Sequence, residues 1–134
     1  MSIRKGLAKA DYTHEMTELE GSLAAGSTSL SYVREIPHVS EVQVGVEVVV
    51  TFDAAATDGV RVRLLQSSDG MNFDTETDLS FTISVSAGNR AQRSVQFQVF
   101  SRYYRIEITN LDGSVAVTVN SVKVMEFPYY NYFV

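Results

Sequence analysis

The stretch "VQVGVEVVVTF", residues 42–52, leaves the chain little choice of backbone. Val42, Val44, Val46, Val48, Val50 and Phe52 share one parity, and Gln43, Gly45, Glu47, Val49 and Thr51 the other. Side chains of a strand point to opposite faces at every second residue, so this run buries one face and wets much of the other. A helix would spread the same valines around its circumference.

The rhythm recurs along the chain. "VRVRLL" sets Val60, Val62 and Leu64 against Arg61 and Arg63, and "LSFTISV" sets Leu79, Phe81, Ile83 and Val85 against Ser80, Thr82 and Ser84. "SVQFQVF" alternates Val95, Phe97 and Val99 with glutamines, and "YYRIEIT" alternates Tyr104, Ile106 and Ile108 with Arg105, Glu107 and Thr109. "SVAVTVNSVKV" starts with Val115, Val117 and Val119 but resumes at Val122 and Val124. That change of parity requires a bulge or bend at Asn120-Ser121. Turn-forming runs separate the strands: "DAAATDG", "SSDG", "SAGN" and "NLDGS". Six strand candidates with turns between them and no crossover helix suit an all-β, antiparallel sandwich or small barrel; the expectation is the sandwich, jelly-roll-like, with extended N- and C-terminal arms.

A chain of 134 residues is one domain, and its 45% hydrophobic content is enough for a core without staples. There is no cysteine, so disulfides and thiolate metal sites are excluded. The N-terminal "MSIRKGLAKADYTHEMTELEGS" is charged and has no apolar run of signal-peptide length, and no stretch approaches a membrane span. The expectation is synthesis in the cytoplasm without a cleaved leader and no membrane partner.

The ends read differently from the middle. Residues 1–35 are expected to form an N-terminal arm or clasp, 36–126 the sandwich body and 127–134 an aromatic C-terminal arm. "THEMTELEG" suggests a short helix with Thr13 as N-cap and Met16 and Leu19 inward. "TSLSYVREI" suggests a strand with Leu30, Tyr32 and Ile36 on one face. The final "FPYYNYFV" holds Phe127, Tyr129, Tyr130, Tyr132 and Phe133. Free tails are usually polar, so these five aromatics are the candidate interface residues.

No catalytic pattern emerges. "HEMTE" places His14 and Glu18 four apart without a second histidine, His38 follows Pro37, and no nucleophile-elbow context accompanies either. Phosphate-binding glycine loops are missing, so no cofactor is implied. The acids of "SSDGMNFDTETD" offer Asp69, Asn72, Asp74 and Asp78 as candidate calcium ligands. However, the spacing fails the EF-hand pattern, and an Asp-Gly turn with Phe73 plugged into the sandwich edge explains the segment. "RVR", "NRAQR" and "SRYYR" mix arginine with tyrosine, as single-strand binders do. Eleven basic residues against sixteen acidic ones, a net charge of −5, argue against nucleic acid, and cross-strand Arg–Glu pairing accounts for the arginines.

"VRVRLLQSSDGMNFD" followed by "SRYYRIEITN" resembles the central part of discoidin-like jelly-roll sandwiches, without their tryptophan or paired cysteines. In organisation the chain is similar to small β-sandwich structural proteins of tailed bacteriophages: capsid decoration (cement), neck and tail components. That resemblance implies a non-enzymatic module acting in a virion through homo-oligomeric contacts and contacts with a larger protein shell. The alternative from a different class is a carbohydrate-binding or adhesion module using the loops at 67–78 and 110–114.

Overall fold

The computed structural model describes residues 3–7, 12–36 and 42–133. Eleven strands follow in order: β1 Ile3–Leu7, β2 Tyr12–Glu15, β3 Gly21–Leu23, β4 Thr28–Leu30, β5 Arg34–Glu35, β6 Val42–Phe52, β7 Val60–Ser67, β8 Ser80–Ile83, β9 Arg90–Val99, β10 Tyr103–Asn110 and β11 Val117–Phe133. Among the described residues one 3-10 turn, Thr17–Leu19, interrupts them.

They form two antiparallel sheets packed as a sandwich. In one, β6 lies between β9 and β11, and the far side of β11 carries β3, β2 and β1 in succession. In the other, β7 lies between β8 and β10, and the far side of β10 carries β4 and β5. If β1–β3 count as one broken strand and β4–β5 as another, each sheet has four rows, and the chain crosses between them at every step but β7 to β8, which are neighbours in the second sheet. That order is a jelly roll.

The alternating segments supply the core. Val44, Val46, Val48 and Val50 of β6, Val60, Val62 and Leu64 of β7, and Tyr104, Ile106 and Ile108 of β10 have no exposed surface. Val122 and Val124 of β11 join the β6 valines of the first sheet in facing β7 and β10 of the second. Each such side chain contributes about 1.5–3 kcal/mol of burial. The parity change in β11 appears as a register shift between Val119 and Ser121, where an extra residue returns the valines to the interior.

The N-terminal segment departs from two expectations. Thr13 does not cap a helix: it lies in β2 opposite Met125, and the helical part shrinks to the 3-10 turn. Backbone pairing with the long edge of β11 outcompetes a helix with too few residues to sustain itself. Met16 and Leu19 are nevertheless buried. The parity read over residues 28–36 is also reversed in part, because Leu30 and Tyr32 are exposed and Ser31 is buried. The Ser31 hydroxyl accepts the Ile106 N–H and donates to the Tyr32 carbonyl, filling a break between β4 and β5. Hydrogen-bond demand at this edge thus overrides hydrophobic alternation.

Candidate functional site

The two ends of the chain meet. Residues Tyr129–Phe133 of β11 pair with Leu7–Ile3 of β1, while β6 begins at Val42, opposite Pro128. Among the described residues, five residue pairs therefore continue past the first rung of β6 as a two-stranded ribbon, about 17 Å long at strand rise. Of the candidate interface residues, Tyr129, Tyr130, Tyr132 and Phe133 lie on this ribbon. Phe127 lies inside the sheet, where its ring edge and the Met125 methyl sit 3.3 and 3.4 Å from where a Cβ on Gly45 would stand. The missing side chain at Gly45 seats both across the outer face, a glycine–aromatic cross-strand pairing.

Beside the ribbon's root, an unforeseen polar group crosses the interior. Glu126 follows Val122 and Val124 on the inward parity of β11 and is buried. Its Oε2 accepts a 2.8 Å hydrogen bond from the Tyr104 hydroxyl and lies 3.5 Å from the Arg34 guanidinium. Burial, then the adjacent Glu126 charge, pushes the Tyr104 phenol far above its ordinary range. The signal was present in the sequence: a glutamate occupying an apolar parity.

The acidic loop turns the chain. Oδ1 of Asp69 accepts the N–H groups of Met71 and Asn72 at 2.8 Å and the Ser67 hydroxyl at 2.9 Å, and Oδ2 accepts the Asn72 side-chain amide. The backbone donors, Asn72 first, hold the carboxyl well below the usual carboxylate range. Gly70 takes φ +76°, and the Tyr103 ring lies 3.2 Å from its would-be Cβ. Beyond the turn, Phe73 lies under the Arg105 guanidinium, 4.3 Å from its ring centroid, over the outer face of the second sheet rather than plugged into its edge. Asp74 and Asp78 are exposed, and among the described residues no three His, Cys, Asp or Glu side chains stand together as a metal group would.

At the opposite end, Asn110 and Asp112 knit three connections. Asn110 Nδ2 donates to the carbonyls of Leu23, Ala24 and Val115. Asp112 accepts the N–H groups of Thr57 and Asp58 on Oδ2 and of Ser114 and Val115 on Oδ1. The Thr57 N–H leads in holding this carboxyl below its ordinary range. Both loops of the carbohydrate reading thus spend their central carboxylates on backbone donors.

The arginines pair as the alternation implies. Arg63 grips Glu107, its direct cross-strand neighbour, through Nε and Nη2, and Arg61 reaches the same carboxylate. Arg102 binds Glu35. His14 lies in β2 opposite Val124, half-buried, while His38 falls outside the described residues.

Together these features define a jelly-roll β-sandwich with a terminal ribbon. No protein-family model and no curated protein matches the sequence. Among solved structures, the T13 viral particle of IBDV is similar over 94% of this chain and 31% of that chain, with a TM-score of 0.63 at 9% identity. The infectious bursal disease virus Gx strain is similar over 96% of this chain and 35% of that chain, with a TM-score of 0.57 at 10% identity. The CBM22-1 xylan-binding domain of Paenibacillus barcinonensis Xyn10C aligns with 90% of this chain and 98% of its own, with a TM-score of 0.45 at 12% identity. The chain spans about a third of the length of the two viral chains, and at these identities the likeness is one of fold. No helix among the described residues is long and apolar enough to cross a membrane.

Proposed function

We propose that the chain is a non-enzymatic structural assembly module, a phage-type virion component such as a capsid decoration, neck or tail protein. It would bind copies of itself and a larger shell through its terminal ribbon. The observation that carries this reading is the pairing of Ile3–Leu7 with Tyr129–Phe133 beyond the first rung of β6. A two-stranded ribbon is marginal by itself in water. This one concentrates four aromatics in five residues, and each aromatic desolvated by a neighbour would add about 1.5–3 kcal/mol. The sandwich acts as the rigid block that holds the ribbon out, and repeated copies multiply the effect. The carbohydrate alternative would require Asp69 and Asp112 to exchange their backbone donors for sugar hydroxyls.

The test is deletion of residues 129–134, which spares Phe127 on Gly45. Light scattering on a sizing column should show the loss of an assembled form, while the circular dichroism of the body is retained. Assembly unchanged by the deletion would overturn the proposal.

A further inference from the structure

Among the described residues, the sandwich has one long edge that no strand closes. Every other edge row is short or broken: β1, β2 and β3 on one side, β4 and β5 below them, and the four residues of β8. β9 runs ten residues in unbroken register with β6, and among the described residues no strand pairs with its far side. The sequence "RAQRSVQFQV" contains no proline, lysine or acid. These are the devices, with bulges, by which proteins blunt such edges.

The ladder also fixes which groups the edge presents. The Phe52 N–H donates to the Asn89 carbonyl, which makes that a hydrogen-bonded pair. Antiparallel pairs alternate, so Asn89, Ala91, Arg93, Val95, Phe97 and Val99 bond towards β6. Arg90, Gln92, Ser94, Gln96 and Gln98 therefore turn their N–H and C=O groups outward. Arg93, an inward charge of the kind that can guard an edge, is directed across the gap instead. Its Nη1 donates to the Thr82 carbonyl at 2.7 Å and its guanidinium lies 5.5 Å from the Phe81 ring, which stacks on Phe97.

We infer that β9 is a docking edge for a second copy of this chain, the two β9 strands joining antiparallel about a twofold axis through Val95. This contact does not involve the ribbon and is independent of the reading above. An isologous pair is the arrangement in which one edge satisfies itself. With Val95 opposite the partner copy's Val95, Ser94 meets Gln96 and Gln92 meets Gln98. All four carry outward-facing backbone groups, giving about eight new hydrogen bonds. Arg93 then lies opposite Phe97 and Ala91 opposite Val99, so a cation faces a ring and apolar faces apolar. The Arg90 and Arg93 of one copy fall towards one end of the joint and those of the other copy towards the opposite end. In the single chain Ala91 and Val95 are only half-buried, and a second strand laid along β9 would cover more of both.

Sedimentation velocity of the full chain over a concentration series should show a dimer, or an even multiple, at high concentration. Ser94→Pro removes an N–H that faces the open edge and none from the β6 ladder. It should halve the mass without altering the circular dichroism. A double variant, Ser94→Lys with Gln96→Lys, places lysines opposite one another across the twofold axis and should do the same if the proline disturbs folding. Deleting residues 129–134 should leave the β9 dimer intact, which separates this contact from the ribbon's. A wild-type monomer at every concentration, or an assembly indifferent to both edge variants, overturns the inference. So does rapid hydrogen exchange at the Ser94 and Gln96 amides under conditions where the wild type is dimeric. Binding of a foreign strand to this edge by a monomeric wild type would likewise reject the second copy as its occupant.

Discussion

The Tyr104 hydroxyl donates a 2.8 Å hydrogen bond to Oε2 of Glu126, linking β10 of one sheet to β11 of the other through the sandwich interior. Tyr104 is fully buried and its acceptor is charged. Tyr104→Phe deletes the donor while keeping the ring, so the cost is that of a charge-assisted bond, about 1.5–3 kcal/mol. Urea titration should show a lower midpoint with an unchanged slope, because the exposed area on unfolding is the same.

The same phenol makes a prediction at high pH. Its folded pKa is raised, so its contribution is complete below the unfolded value of about 10 and is lost as pH rises above it. Wild type should lose stability through that range, and Tyr104→Phe should lose less. Spectrophotometric titration of the folded protein should be unaffected by the substitution, because Tyr104 ionises only after unfolding.

At low pH the sign reverses. Asp112 and Asp69 have folded values below the ordinary carboxylate range, so the unfolded chain binds protons first as pH falls below about 4. Stability present above that pH is then withdrawn. Asp112→Asn places an amide donor among four backbone N–H groups. It should lower the melting temperature at pH 7 and flatten the acid limb of the stability profile, both readable by calorimetry.

Asp69 also permits a test by ligand. Its two oxygens already accept donors from Ser67, Met71 and Asn72, the positions a cation would need. Calcium at about 10 mM should leave the melting temperature unchanged. A site of ~0.1 mM affinity would instead add about 2.7 kcal/mol at that concentration, a shift of several degrees for a domain of this size.

How much of this was legible in the sequence depends on which face of a strand meets what. β6, β7 and β10 could be read outright, because both neighbours of each are strands and one face is buried along most of its length. The bulge after Val119 was legible as a parity slip. The N-terminal rows were not, because β1–β5 are two to five residues long and are held by the edges of β10 and β11 rather than by a pattern of their own. Leu30 and Tyr32 misled for that reason. The first half of β9 was missed because its inward positions, Ala91 and Arg93, lack apolar bulk, and Arg93 is spent on the Thr82 carbonyl and the Phe81 ring of β8 instead. Asn110 and Asp112 read as a turn, but the sequence could not show which distant carbonyls and N–H groups they gather.

Two glycines outside the left-handed region, Gly59 and Gly45, should respond differently to one methyl group. At Gly59 an added Cβ would collide with the Ile83 carbonyl oxygen, a backbone atom held in the sandwich. Gly59→Ala should cost about 1–3 kcal/mol, the range for forced overpacking. At Gly45 the nearest atoms are the far ends of Phe127 and Met125, which can yield by a few tenths of an ångström. Alanine also favours an extended strand more than glycine does. Gly45→Ala should therefore stay within about 1 kcal/mol of wild type, whereas Gly45→Val, with two further methyls under the ring, should lift Phe127 from its seat. Urea midpoints of the three variants, with the Phe127 ring followed by NMR, would check this. If Gly59→Ala were as stable as Gly45→Ala, the close approach of β8 to residue 59 would be wrong.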